Sequence, residues 1–153
     1  MSQLEVLVAG NPKLKEKSLP VGKIDRKLRR LLDDMAETMK KHDGVGLAAP
    51  QVGKLIRAVV IDVGEGRYEL INPVITEREG TAVDSEGCLS VPDIFGEVER
   101  AEKVTVEYTN RWGKQQRLAA DGLLARCIQH EVDHLEGRLF IDIAKSIRKG
   151  EKN

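Results

Sequence analysis

The segment from Asp121 to Gly137 restricts the fold more than any other part of the chain. Its first half is apolar, with Leu123, Leu124, Cys127 and Ile128. This composition favours a core helix, for which Asp121 is a suitable N-cap and Gly137 a suitable residue beyond the C-terminal end. His130, Glu131 and His134 lie on the same predicted helix. Because buried polar groups need partners, the fold around this helix has to supply them.

The spacing of the two histidines predicts a metal site. Residues four apart on a helix lie on nearly the same face, about 6 Å apart along the axis, so His130 and His134 can ligate one ion. Glu131 is one step round the helix, close enough to reach a water molecule on that ion. The alternative is a histidine pair satisfied by the core or by solvent, but the full pattern arises by chance in on the order of one chain in a few hundred. The pattern therefore predicts a metallohydrolase.

The residues alone leave the third ligand open. Zinc peptidases often take it from a downstream histidine or glutamate, but only carboxylates follow here: Glu136, Asp142 and Glu151. Glu136 is too close to reach round the helix, and Glu151 is in the C-terminal tail. Upstream, Cys88 follows a glycine, so its thiol can approach a metal. A buried structural thiol is the alternative interpretation of Cys88.

The remaining patterns predict an α+β fold, in which short antiparallel strands pack around the central HExxH-bearing helix beside an N-terminal amphipathic helix. The N-terminal helix should begin after Asp25 and stop near Gly44. Its apolar positions are Leu28, Leu31, Leu32, Met35 and Met39. Strands are expected at 55–63, 68–75 and 104–109, followed by a hairpin turn at 111–114 and a strand at 115–119. We expect one domain over residues 1–153, with a flexible basic tail at 145–153.

Charge and apolar content limit the partners. Lysine plus arginine equals aspartate plus glutamate at 25 each, so net charge gives no argument for nucleic-acid binding. No apolar run approaches the roughly 20 residues of a membrane span, and no signal peptide is evident. These features predict a cytoplasmic protein that does not bind membranes. Two cysteines in such a chain are expected to stay separate thiols.

Three segments, in this order and spacing, resemble the bacterial-type peptide deformylases. They are GVGLAAPQ at 44–51, EGCLS at 86–90 and QHEVDHL at 129–135. The opening GNPKL at 10–14 is similar as well, and nearly the whole chain is covered. The resemblance implies hydrolysis of the formyl group from the formyl-methionine of nascent polypeptides, with release of formate. It also implies that Cys88, His130 and His134 hold one divalent metal ion. That ion is expected to be Fe²⁺ in cells, although Zn²⁺, Ni²⁺ or Co²⁺ also suits these ligands.

The resemblance further implies the roles of individual residues. A metal-bound water is expected to attack the formyl carbonyl, with Glu131 as general base and then acid. The side-chain amide of Gln51 and the backbone N–H of Leu89 are expected to stabilise the oxyanion. Cys127 is expected to line the methionine pocket. Main-chain hydrogen bonds to the peptide are expected from Val45, Gly46 and Gly87.

Several expectations stay open. Arg126 stands where many relatives have an apolar residue, and this departure bears on the shape of the pocket and on the preference for downstream residues. An exposed arginine with an apolar stem is the simpler interpretation. Asp133 is expected to pair with Arg100. A zinc peptidase, another amidase and an inactive metal-binding relative are the competing functions. The basic C-terminal segment has two interpretations: transient contact with the ribosome, or a solvated tail without a partner.

Overall fold

The computed structural model describes residues 3–150. Within this range, two α-helices cover Arg26–Lys41 (α1) and Gly122–Leu135 (α2). Short 3-10 helices cover Pro12–Lys15, Ala49–Val52 and Phe140–Asp142. The strands are Gly46–Ala48 (β1), Ala58–Ile61 (β2), Tyr68–Glu79 (β3), Ala82–Cys88 (β4), Val91–Arg100 (β5), Lys103–Thr109 (β6), Gln115–Asp121 (β7) and Ser146–Lys149 (β8).

The strands form two antiparallel sheets. One has five strands in the order β1-β2-β3-β6-β7, and the other has three in the order β4-β5-β8. The β4–β5 hairpin leaves the larger sheet after β3, and the chain returns at β6. The two helices and the antiparallel sheets confirm the predicted α+β class.

Helix α1 forms where its apolar spacing predicts it. The Asp25 carboxylate accepts a hydrogen bond from the Leu28 N–H at 3.0 Å and caps the first turn. Leu32 and Met35 are fully buried and pack against β1 and β2 residues. The helix ends at Lys41, close to the predicted end near Gly44, and Asp43 beyond it adopts the left-handed conformation, with φ of 56°.

Helix α2 is the central helix, packed on the five-stranded sheet. Ala125, Ile128 and Leu135 are fully buried against side chains from β2, β6 and β7. Asp121 occupies the N-cap position with extended backbone, although its side chain makes no capping hydrogen bond. Gly137 has φ of 77°, which agrees with its predicted place beyond the helix. This packing presents the histidine-bearing face of α2 towards the β4–β5 hairpin.

The C-terminal segment corrects the expectation of a flexible tail from residue 145. Ser146–Lys149 forms β8, which pairs with β5 from Glu97↔Ser146 to Ile94↔Lys149. All four side chains of β8 are exposed, so the segment has no buried alternation that sequence patterning could detect. Residues 151–153 of the expected tail lie outside the described residues. Neither α1 nor α2 is long and apolar enough to cross a membrane.

Candidate metal centre

The structure brings the three expected metal ligands together. Cys88 ends β4, whereas His130 and His134 lie one turn apart on α2. One ligand atom from each lies within 4.8 Å of the others, and the Cys88 Sγ is 3.3 Å from the His134 Nε2. Both histidines are buried. A sulfur and two imidazole nitrogens converging in a buried position form a donor set suited to a transition-metal ion.

The ring of His130 is oriented by a carboxylate on β4. The His130 Nδ1 lies 2.9 Å from the Glu86 Oε1, which leaves Nε2 as the atom available to a metal. In His134, Nε2 faces the sulfur of Cys88, and the buried Nδ1 has no hydrogen-bond partner among the described residues. Each histidine therefore has one nitrogen suited to ligation, and the tautomer of His130 is set by Glu86.

Two arginines hold the Glu86 carboxylate. Arg100 donates to it through Nε and Nη2, both at 2.9 Å, and Arg126 donates through Nη1 at 2.7 Å. Burial raises the pKa of Glu86, but the hydrogen bonds from His130 and Arg100 outweigh burial and lower the pKa to about 2. The charged carboxylate can thus accept the Nδ1–H of His130. The expected pair of Arg100 and Asp133 is present at 2.6 Å.

Glu131 combines a buried side chain with a carboxylate oxygen, Oε1, that makes no hydrogen bond within residues 3–150. Its Oε2 lies so close to Gly46 on β1 that a Cβ atom at Gly46 would overlap with it. Burial is the main influence on this carboxyl and raises its pKa to about 7. The absence of a side chain at Gly46 is therefore required for the observed position of Glu131.

Gln51 is a buried residue of the site, with 1% of its surface exposed, and not a surface glutamine. Its Oε1 accepts a hydrogen bond from the Ala48 N–H at 2.9 Å. Its Nε2 donates to the Ser90 Oγ at 3.1 Å and to the Cys88 Sγ at 3.4 Å. The anchor at Ala48 fixes which end of the amide faces the ligands, so Gln51 presents a donor to the metal centre.

A cleft of about 550 Å³ opens beside Glu131 and the ligands. The residues expected to bind substrate line it together with Leu89: Val45, Gly46, Gly87 and Cys127. Its further apolar lining includes Pro92, Phe95 and Leu123, none of which the sequence assigned to the cleft. Phe95 packs so closely on Gly87 that a Cβ atom there would lie 2.9 Å from its ring. The absence of a side chain at Gly87 therefore allows the Phe95 ring to pack against β4 and line the cleft.

The structure corrects the interpretation of Arg126 as exposed, because only 9% of its surface is accessible. It also assigns contacts to Glu86 and Ser90 that sequence reasoning missed. The signal for Glu86 was its position two residues before Cys88, since alternate residues of a strand share one face. For Ser90, nothing local distinguished its hydroxyl from that of an ordinary turn residue.

The chain is similar to known proteins over nearly all of its described length. A family model described as polypeptide deformylase matches residues 3–150. The peptide deformylase of Caldicellulosiruptor bescii is 60% identical over 129 residues, covering 84% of this chain and 78% of that protein. The peptide deformylase of Desulfitobacterium hafniense is 54% identical over 145 residues, covering 95% of this chain and 97% of that protein.

Solved structures show the same similarity. The peptide deformylase of Thermotoga maritima superposes with a TM-score of 0.94 at 44% identity, covering 95% of this chain and all of that one. The peptide deformylase of Synechococcus elongatus, in complex with actinonin, superposes with a TM-score of 0.92 at 45% identity, covering 95% of this chain and 81% of that one. The chain belongs to the polypeptide deformylase family, and it is therefore a hydrolase that acts on formyl-peptide amides.

Proposed function

We propose that this chain removes the formyl group from the N-terminal formyl-methionine of nascent polypeptides and releases formate. The observation that carries the proposal is the convergence of Cys88, His130 and His134 beside Glu131, whose Oε1 has no partner within residues 3–150. An apolar cleft opens directly onto these groups. Because formylated chains arise during translation, we also propose that the enzyme acts in the cytoplasm.

One divalent cation would be held by Cys88, His130 and His134. A thiolate with two imidazoles suits Fe²⁺, Zn²⁺, Co²⁺ and Ni²⁺, and we propose Fe²⁺ as the ion used in cells. When bound, the cation supplies Lewis acidity that makes water nucleophilic at neutral pH. Glu86 contributes by holding the ring of His130, because its carboxylate accepts the proton on Nδ1.

Glu131 performs the proton transfers in this proposal. Its Oε1 accepts a proton from the attacking water, and the same carboxyl then returns a proton to the amine that leaves. Burial among α2 and β1 residues keeps competing water away from the carboxylate. Its position against Gly46 fixes the direction in which the carboxylate faces the cleft.

Two donors stabilise the negative charge on the formyl oxygen. One is the Nε2 amide of Gln51, which is held in place because the Gln51 Oε1 accepts a hydrogen bond from the Ala48 N–H. The other is the backbone N–H of Leu89, which follows the ligand Cys88 directly. Donors that are already oriented need no reorganisation as charge develops, and removing one such donor from an enzyme costs about 10²–10³-fold in kcat.

The cleft binds the peptide through its backbone and the methionine side chain. Val45 and Gly46 line the cleft at β1, which is an edge strand of the five-stranded sheet. A peptide can therefore pair with this edge as an added strand, with Gly87 contributing from the other side. The methionine side chain is accommodated by apolar lining that includes Cys127.

The decisive experiment measures formate release from formyl-Met-Ala-Ser by anaerobically metal-loaded protein, with acetyl-Met-Ala-Ser as the matched substrate control. Wild-type protein should release formate and leave the acetyl peptide intact. Glu131→Ala should lose activity and retain metal, whereas Cys88→Ala should lose the metal. Cleavage of internal peptide bonds would instead support a peptidase, and absence of formate release by intact, metal-loaded protein would overturn the proposal.

Two finer proposals have separate tests. Anaerobic purification followed by elemental analysis tests Fe²⁺, and stoichiometric zinc with full turnover would overturn that assignment. Ribosome contact through the basic residues near the C-terminus is tested by co-sedimentation with Lys145→Gln and Lys149→Gln. Unchanged sedimentation of these variants would exclude those charges as the contact.

A further inference from the structure

The three metal ligands come from two different layers of the fold. His130 and His134 belong to α2, which packs on the five-stranded sheet. Cys88 belongs to β4, in the separate three-stranded sheet. The distance between the thiol and the imidazoles therefore depends on how the β4–β5 hairpin is held against α2.

Arg126 connects these two layers. It lies on α2 four residues before His130, on the same face of the helix. Its Nη1 donates to the Glu86 Oε2 at 2.7 Å and to the Val98 carbonyl at 2.9 Å, and its Nη2 donates to the Ala82 carbonyl at 2.9 Å. One guanidinium thus binds both strands of the hairpin and the carboxylate that orients His130.

We propose that Arg126 is a positioning residue that clamps the β4–β5 hairpin onto α2 and so sets the Cys88 sulfur at its distance from the two histidines. The inference rests on the proposed metal site, and it adds a residue of the cleft lining that is not itself one of the three ligands. With the clamp in place, the ligand atoms lie within 4.8 Å of one another. Holding the sulfur near the imidazoles lowers the cost of ordering the ligands when an ion binds, and so strengthens binding.

Arginine is required for geometric reasons. Its planar guanidinium carries five N–H donors in a fixed arrangement, so it can donate hydrogen bonds to acceptors on two strands at once. Lysine would keep the charge opposite Glu86 but not the fork that reaches Ala82 and Val98. Methionine would fill the space and remove all three hydrogen bonds.

Arg100 does not replace this function. It also holds Glu86, but it starts from the end of β5, and its direct hydrogen bond to α2 within residues 3–150 is the one to Asp133. Asp133 is shared with Arg138, an exposed residue that makes no bond to Glu86 among those described. Arg138 therefore offers a matched control, because its substitution removes an arginine ion pair near α2 without removing the clamp.

The test compares Arg126→Met, Arg126→Lys and Arg138→Met as folded proteins, below their melting temperatures. Two quantities are measured: Co²⁺ affinity by chelator competition, and the intensity of the thiolate-to-Co²⁺ charge-transfer band, which reports the sulfur–metal bond. For Arg126→Met, we expect about 10–100-fold weaker binding and a weaker band, by analogy with other residues that support metal ligands. Arg126→Lys should be intermediate, and Arg138→Met should match the wild type.

Wild-type affinity and band intensity in Arg126→Met would overturn the inference, whatever the melting temperature of that variant. If Arg126→Met does not fold, Arg126→Lys decides, and a lysine variant equal to the wild type would overturn it. Formate release by the wild type tests the proposed function separately. Wild-type protein that binds Co²⁺ but releases no formate would overturn the proposed function without contradicting the role of Arg126.

Discussion

The Oε1 of Glu86 lies 2.9 Å from the Nδ1 of His130, and two buried arginines hold the same carboxylate. This relationship joins a strand residue to a proposed metal ligand 44 positions later in the chain. It determines which imidazole nitrogen remains for the metal. The most direct consequences concern the negative charge of Glu86.

Glu86→Gln should weaken metal binding by about 10–100-fold, because an amide keeps the shape of the side chain but not the charge that supports His130. It should also lower the melting temperature, since two buried arginines lose a charged partner. Chelator competition and calorimetry measure the two effects. Glu99→Gln, an exposed carboxylate of β5 paired with Lys145, is the control and should change neither. Equal metal affinity in both variants would contradict the role given to Glu86.

Gly46→Ala should reduce kcat strongly while the protein remains folded and metal-loaded. The new Cβ overlaps with the Glu131 carboxylate, so either the carboxylate or β1 has to move. A displacement of about 1 Å in a catalytic group can cost about 10²-fold in rate. Gly22→Ala is the matched control, because nothing lies within 4 Å of a Cβ there. Steady-state kinetics of both variants test this, and wild-type kcat in Gly46→Ala would refute it.

Truncation after Ala144 should lower the melting temperature and raise KM. Loss of β8 exposes the β5 edge and removes Arg148, whose guanidinium lies 5.7 Å from the centre of the Phe95 ring. Phe95 is part of the cleft wall, so substrate binding should suffer more than the chemical step. Truncation after Gly150 retains β8 and serves as the comparison. Identical KM values for the two truncated proteins would show that β8 does not support the cleft.

The two thiols should differ in alkylation. Burial raises the pKa of Cys127 to about 12, so only about one part in ten thousand is thiolate at pH 8. This fraction changes about tenfold with each pH unit, so it is smaller still at lower pH and becomes substantial only as the pH approaches 12. Iodoacetamide treatment of chelated protein, followed by mass spectrometry, should therefore modify Cys88, which is partly exposed, and spare Cys127. Modification of Cys127 first would contradict this.

Local sequence was sufficient for the two helices. Apolar spacing at three and four residues predicted α1, and an apolar segment between Asp121 and Gly137 predicted α2. The N-cap positions Asp25 and Asp121 agree with the structure. The β6–β7 hairpin was also predictable, because alternation and its turn are local signals. Strands β4 and β8 were not predictable from local sequence. Most of their side chains are exposed, so backbone pairing with β5 determines where they lie.

Within the site, helical periodicity alone determined that His130, Glu131 and His134 lie together, because their spacing is a property of one helix. The resemblance indicated Cys88 as the third ligand, and the structure places its sulfur close enough to the two histidines for the proposed site. Tertiary structure alone decided the environment of Glu86, whose partner Arg126 lies 40 residues away. Such contacts depend on how two sheets and a helix pack, and no local pattern of residues encodes that packing.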